Sequence, residues 1–124
     1  MNYMYPKILF CALLILTLSY CRKDDNPRVG FRSEFVVNSK GLTLMEVRND
    51  AEFLTLMGKI ELKKGRIEVK LLCPDEFAVY ATSFETPGII QINRTFRATA
   101  GYWKLSYQSM DGEGDIDLHL TSYQ

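Results

Sequence analysis

The sequence predicts an all-β domain of about seven to eight short antiparallel strands that form a single small β-sandwich, preceded by a signal helix. Apolar and polar residues alternate through most of the chain after residue 33, as they do in half-buried strands. Turn-forming residues separate these segments at short intervals. No sustained stripe of apolar residues with a helical period follows the first twenty residues, so few helices are expected.

The amino-terminal segment has the pattern of a secretory signal. Lys7 supplies a positive charge, and Ile8 to Leu18 is a run of eleven residues without a charge. A signal peptide needs an apolar run of about 7–15 residues, whereas a membrane-spanning helix needs about 20. Residues 1–20 are therefore predicted to be a signal peptide. A single-pass anchor from Tyr3 to Tyr20 is the alternative.

The end of this segment, Leu18-Ser19-Tyr20-Cys21, resembles the lipobox of bacterial lipoproteins. The resemblance implies that Cys21 becomes the mature amino terminus and carries acyl chains that hold the protein to a membrane. Residues 21–33 then form a polar tether, which begins with Arg22-Lys23-Asp24-Asp25. Lys23-Asp24-Asp25 also resembles a sorting signal for surface-exposed outer-membrane lipoproteins. An ordinary solvated linker is the alternative.

The β-sandwich domain is predicted over residues 34–124. Its clearest strands are those in which apolar residues occupy every second position: residues 53–62, 66–73, 102–108 and 115–120. Weaker alternation predicts strands over residues 34–37, 42–47, 78–84 and 89–96. Turns are expected at Lys64-Gly65, Pro74-Asp75, Thr86-Pro87-Gly88, Ala100-Gly101 and Asp111-Gly112-Glu113-Gly114.

The turn at Lys64-Gly65 is predicted to close a hairpin. A register that places Lys63 opposite Glu68 and Glu61 opposite Lys70 avoids like charges facing each other across the ladder. This register also keeps Leu62 on the same face as Val69.

Three motifs follow one another along the domain: Pro74-Asp75 leading into Val79-Tyr80, Gly101-Tyr102-Trp103-Lys104-Leu105, and Gly112-Glu113-Gly114. In this order they resemble the small jelly-roll-type sandwiches of secreted proteins, such as pre-peptidase C-terminal, P-domain-like and GOLD-like modules. Glu76 stands where those modules carry a glycine after Pro-Asp. The resemblance implies a jelly-roll-like sandwich with a non-catalytic role.

The composition argues against several classes of function. Basic and acidic residues number 15 each, so the chain lacks the clustered positive charge that nucleic-acid binding needs. The domain has a single histidine, His119, and Cys73 is its one cysteine, so a zinc site lacks ligands. Alternation places Cys73 on an apolar face and His119 on a polar one, which separates them as a nucleophile and base. We therefore expect no enzyme, no cofactor and no nucleic-acid partner.

Four carboxylates lie close together in the sequence, at Asp111, Glu113, Asp115 and Asp117. Acidic, glycine-rich segments can supply the oxygen ligands that calcium prefers, so these residues are candidate calcium ligands. Alternation sends Asp115 and Asp117 to the solvent face of the last strand, which favours an ordinary acidic hairpin and no metal.

The adjacent aromatic residues Tyr102 and Trp103 must face opposite sides of their strand. Trp103 shares a face with Leu105 and Tyr107 and is expected in the core, which leaves Tyr102 exposed alone. The sequence thus predicts an anchored surface module that binds a protein or a glycan. A structural subunit of a larger envelope assembly is the alternative, and a small secreted enzyme is a third.

The lipobox-like motif makes a prediction about processing. In a bacterial host, the mature protein should begin at Cys21 and incorporate labelled palmitate, and Cys21→Ser should abolish the label. Several acyl chains are expected, because one chain binds membranes only marginally. Equal label, or none, in both proteins would contradict lipidation at Cys21.

Overall fold

A computed structural model describes residues 26–124, in which six antiparallel strands form one hydrogen-bonded sheet without a helix. The signal segment and Cys21 lie outside the described residues. The strands are β1 (Arg28–Phe35), β2 (Lys40–Val47), β3 (Phe53–Leu72), β4 (Ala78–Phe84), β5 (Gly88–Arg97) and β6 (Gly101–Tyr123).

The two long strands, β3 and β6, pair with each other along nearly their whole length and belong to both layers of a sandwich. One layer, sheet I, has the order β2, residues 101–110 of β6, residues 66–72 of β3, and β4. The other layer, sheet II, has the order β1, residues 113–123 of β6, residues 53–62 of β3, and β5. Counted by layer, the six strands make eight segments in the order of a jelly roll. The predicted jelly-roll-like sandwich is confirmed.

The two predicted hairpins at Lys64-Gly65 and Asp111–Gly114 are wrong, because each site lies inside a continuous strand. The register between β3 and β6 shifts between Leu62 and Lys64 and again between Lys64 and Arg66. Glu61 pairs with Asp115 and Glu68 with Gln108, in place of the hairpin partners expected from charge. Unpaired extra residues of this kind are β-bulges, which bend strands and allow them to turn the corner between two sheets.

The bulges also keep the apolar residues of each strand on the inside. Leu62 and Ile67 are both buried, although residues separated by an odd number of positions face opposite sides of a regular strand. The buried residues of β3 have even numbers before the bend and odd numbers after it. In β6 the same change occurs between Ser109 and Gly112. Without it, the bend would turn one half of each strand's apolar side chains to solvent.

The core lies between the two sheets. Trp103 is 2% exposed and its Nε1 donates a hydrogen bond to the Thr99 carbonyl at 2.9 Å, which confirms its predicted place in the core. Aromatic pairs join the sheets along both open sides. Phe31 of sheet II contacts Tyr107 of sheet I with ring centroids 4.8 Å apart, and Tyr80 of sheet I lies 6.4 Å from Phe96 of sheet II.

The first strand corrects the predicted boundary between tether and domain. β1 begins at Arg28, within the segment assigned to the tether, and the expected strand over residues 34–37 is only its last part. Val29 and Phe31 pack against the core, opposite Leu120 and Leu118 of β6. The charged residues of this strand, Arg28, Arg32 and Glu34, are exposed and make the segment resemble a polar linker.

The bend makes a prediction about Gly65. Its φ is +74°, and a Cβ added there would lie 2.1 Å from the Asp111 carbonyl oxygen. A left-handed conformation costs a residue with a side chain roughly 1–2 kcal/mol, so Gly65→Ala should lower the free energy of unfolding by at least that amount. Denaturant titration followed by Trp103 fluorescence measures it.

The control is Gly88→Ala, because Gly88 also has a positive φ but nothing lies within 4 Å of its added Cβ. We expect the smaller loss from Gly88→Ala. Equal losses would show that the contact with Asp111 contributes nothing.

Candidate functional site

The outward face of sheet I carries a regular group of side chains from three strands. Lys40, Gln108 and Glu68 lie in one row across β2, β6 and β3. The next row consists of Leu42, Ser106 and Lys70. We call these six residues the outer grid. Strands are about 4.8 Å apart and alternate residues about 6.7 Å apart, so the grid spans roughly 10 by 7 Å.

An open depression of about 380 Å³ lies on this grid, and Gly41 and Tyr107 complete its lining. Gly41 is required at this point, since a Cβ there would lie 2.2 Å from the Tyr107 ring. The depression continues towards β4, where Glu68 and Lys70 also line a shallow space of about 240 Å³ with Ala81, Thr82 and Ser83. A ligand at this position would therefore meet acidic, basic, amide and hydroxyl groups together.

A buried serine fixes the end of β2 that contributes Lys40. The Ser109 hydroxyl donates a hydrogen bond to the Val36 carbonyl at 2.8 Å and accepts one from the Ser39 N–H at 2.8 Å. The Ser109 N–H also donates to the Ser39 carbonyl at 2.9 Å. These hydrogen bonds hold the turn before β2 against β6 beside the bend. They thereby fix the register of β2 on β6, which places Lys40 opposite Gln108.

The charges of the grid are only partly paired. The Arg66 guanidinium lies 2.8 Å from the Glu68 carboxylate, so this carboxylate already has a partner. Within residues 26–124, no carboxylate lies within 4.0 Å of the Lys40 or Lys70 ammonium groups. Both ammonium groups are therefore available as hydrogen-bond donors to a ligand.

Beyond the grid, the same face combines exposed apolar residues with the charged residues Lys104 and Glu46. Tyr102 is 57% exposed, as the alternation predicts, but it is not alone there. Leu44 is 49% exposed and lies diagonally across the ladder from Tyr102, while Leu42 of the grid is 64% exposed. Leu44, Tyr102 and Lys104 line a further depression of about 420 Å³. Alternation along β2 could have predicted that these leucines are exposed, because Met45 and Val47 occupy the buried positions of the same strand.

A larger depression of about 730 Å³ lies between the edge strands β4 and β5. It is lined mainly by side chains that close the open side of the sandwich, among them Tyr80, Phe84, Ile90 and Ile92. Burial raises the pKa of the Tyr80 hydroxyl above its ordinary value, while the nearby Arg94 charge acts in the opposite direction. We interpret this depression as the gap between the two sheets at the open side of the core and not as a ligand site, because the Tyr80–Phe96 pair packs across it.

The residues considered for catalysis lie apart. Cys73 is buried at 6% exposure at the end of sheet I, whereas His119 is on the outward face of sheet II. His119 Nε2 lies 2.7 Å from the Asp117 carboxylate, so its neighbour is an acid and not a nucleophile. The predicted separation of Cys73 and His119 is confirmed.

The four candidate calcium ligands do not converge on one point. Asp111 is exposed at the bend, and Glu113 forms an ion pair with Lys64 at 3.5 Å. Asp115 lies in register between Glu34 and Glu61, and Asp117 contacts His119. In the described part of the chain, no group of three or more His, Cys, Asp or Glu side chains lies close enough together to hold a metal ion.

Cys21, the predicted site of the lipid anchor, precedes the described residues. Between residues 26 and 124, no helix is long and apolar enough to cross a membrane.

No protein-family model matches this sequence, and a comparison with curated proteins gives no match. Several solved structures show a remote likeness to this chain, among them a carbohydrate-binding module and a cupin domain. The carbohydrate-binding module TmCBM61, in complex with beta-1,4-galactotriose, is 15% identical with a TM-score of 0.43, over 79% of this chain and 66% of that one. The Drosophila melanogaster CENP-C cupin domain is 17% identical with a TM-score of 0.34, over 72% of this chain and 56% of that one. The assignment of the jelly-roll-like fold therefore rests on the strand order of this chain.

The position of the four carboxylates predicts that calcium does not stabilise the domain. Alternate residues of a strand are about 6.7 Å apart, so Glu113 and Asp117 lie about 13 Å apart along β6 and the four carboxylates do not surround one point. Thermal melts of the full-length protein in excess chelator and in millimolar calcium should coincide. A rise of several degrees in calcium that Asp115→Asn abolishes would contradict this prediction.

Proposed function

We propose that this chain is a non-catalytic, carbohydrate-binding lipoprotein of the bacterial cell envelope, and that its ligand binds on the outer grid. The observation that carries the proposal is the open depression over the outer grid, that is, over Lys40, Gln108, Glu68, Leu42, Ser106 and Lys70. The exposed ring of Tyr102 lies further along the same face of β6.

The chemistry of the grid fits a polyhydroxylated ligand. Sugar hydroxyls both donate and accept hydrogen bonds, and the grid offers both kinds of group within one small area. Gln108 and Ser106 can do either, Lys70 donates, and Glu68 accepts. Because these side chains stand on paired strands, the ladder fixes the spacing of their Cα atoms, and only the side chains have to become ordered on binding.

The apolar part of the face extends this site. A sugar ring has an apolar face that packs on an aromatic ring, and Tyr102 presents such a ring with its hydroxyl accessible to water. Tyr102 and Gln108 lie six residues apart on β6, roughly 20 Å along the strand. The surface is therefore long enough for an oligosaccharide, with Lys104 between its two ends.

The unpaired ammonium groups of Lys40 and Lys70 favour an acidic sugar. Each can form an ion pair with a carboxylate of the ligand in addition to its hydrogen bonds, although an exposed ion pair contributes only about 0.2–1 kcal/mol. Salt screens such pairs, so affinity for an acidic glycan should fall as salt is added.

The proposed anchor attaches to the end of the sandwich opposite the outer grid. Cys21 precedes the first residue of β1 by seven residues, which span at most about 25 Å. Arg28 pairs with Thr121 at the end of sheet II that is far from the bend, whereas Gln108 is three residues from Asp111 at the bend. A lipid at Cys21 would thus hold the end of the domain opposite the outer grid, and the Tyr102 end of the binding face would lie nearer the lipid surface.

The test is a glycan array probed with full-length protein purified from membranes, including neutral and uronate-containing oligosaccharides. We expect binding of a uronate-containing oligosaccharide that Lys70→Ala weakens about two- to fivefold, since an exposed ion pair contributes about 0.2–1 kcal/mol. Tyr102→Ala should weaken binding about two- to tenfold, because an aromatic contact contributes about 0.5–1.5 kcal/mol.

The matched control is Lys59→Ala. Lys59 is also an exposed lysine of β3, but it lies on the outward face of sheet II. Its removal should leave binding unchanged. Absence of binding by the unaltered protein, or an equal loss in Lys59→Ala, would overturn the proposal.

A further inference from the structure

The outer edge of β2 is unpaired within residues 26–124, where β2 pairs with β6 alone. The Ser109 N–H donates to the Ser39 carbonyl, so the odd-numbered residues of this segment direct their backbone groups towards β6. The even-numbered residues of β2 therefore present their N–H and C=O groups at the free edge. These residues are Lys40, Leu42, Leu44 and Glu46.

The side chains at this edge are unusually apolar for a strand edge that faces water. Strand edges are normally protected by charge, proline or a cover, because they can pair with another chain. Here the middle of the edge carries two exposed leucines, Leu42 at 64% and Leu44 at 49% exposure. The charged residues Lys40 and Glu46 stand at the two ends, both exposed.

This arrangement is complementary to itself. If a second β2 pairs antiparallel about a two-fold axis at Thr43, Leu42 of one copy lies opposite Leu44 of the other. In the same register Lys40 lies opposite Glu46, and the symmetry repeats both pairs. A shift by two residues in either direction places a leucine opposite a charged residue, so one register is preferred.

We propose that two copies of this chain associate through their β2 edges in this register. The backbone groups of the four even-numbered residues in each copy then form a continuous ladder, and sheet I extends across both copies. Because the side chains of paired residues share a face, both outer grids lie on the same side of the joined sheet.

The dimer goes beyond the proposed carbohydrate site and stands on the strand edge alone. It would place two outer grids side by side, with Lys40 of each grid paired to Glu46 of the other copy and Lys70 left to contact the ligand. A polymer that contacts both grids would gain affinity because its second contact is intramolecular.

Disulfide cross-linking in intact cells tests the register. The double variant Leu42→Cys/Leu44→Cys should form a disulfide-linked dimer of the full-length protein, because directly paired residues have Cα atoms within the 4.4–6.8 Å that a disulfide spans. The control is Ile89→Cys/Gln91→Cys, which places two cysteines on exposed positions of the edge strand β5. Absence of the β2 cross-link, or equal cross-linking from β5, would overturn the proposal.

Charge reversal gives a second and independent test. With the β2 cysteines present, Lys40→Glu and Glu46→Lys should each reduce dimerisation about tenfold, because each replaces two attractive cross-strand pairs by two repulsive ones. The combination Lys40→Glu/Glu46→Lys restores opposite charges and should restore the dimer. If the combined variant stays monomeric while its Trp103 fluorescence shows the native fold, the proposed register is wrong.

The two proposals fail separately. Dimerisation is measured without a glycan, and Lys70 stands on β3, which β6 separates from the β2 edge. A dimer that binds no glycan would refute only the carbohydrate site, and a monomer whose glycan binding depends on Lys70 would refute only the paired edge.

Discussion

At the bend, the carbonyl oxygen of Asp111 occupies the place where a side chain on Gly65 would begin. Both residues have positive φ angles, +74° for Gly65 and +49° for Asp111, and each belongs to one of the two long strands. The strands can thus bend at the same level and remain hydrogen bonded to each other. Everything else in the sandwich depends on this point, because the strands on either side belong to different layers.

The bend also decides which residues form the core. Leu62 and Ile67 would face opposite sides of an unbroken strand, yet both are buried. The shift in register adds the position that brings them to the same side. On the open sides of the sandwich, the Phe31–Tyr107 and Tyr80–Phe96 pairs then connect the layers. Aromatic pairs of this kind add to the free energy of burial and fix the distance between the sheets.

The outward face of sheet I is a consequence of the same architecture. β6 occupies an inner position of both sheets, and β2 and β3 flank it in sheet I, so the grid combines side chains that are distant in the sequence. Ser109, buried beside the bend, ties the start of β2 to β6 and sets the row that contains Lys40 and Gln108. A ladder that holds mixed polar groups on neighbouring strands is suited to binding. The free edge of β2 belongs to the same face and carries the leucines that no residue of the domain covers.

The sequence by itself determined the fold class, the interior position of Trp103, the exposure of Tyr102 and the separation of Cys73 from His119. These follow from alternation along single strands, which is a local property. It also located the turn after Cys73, where Glu76 adopts a left-handed φ of +65° at the position that resembled a glycine site.

Only the tertiary structure decided that Lys64-Gly65 and Asp111–Gly114 are bends and not hairpins. Glycine permits both a chain reversal and a bulge, and the choice depends on which strands pair, since pairing is a property of distant segments. The outer grid was hidden for the same reason, because Lys40, Glu68 and Gln108 become neighbours only through the register of three strands. Alternation tells which way a side chain points, and the hydrogen bonds between strands decide what stands beside it.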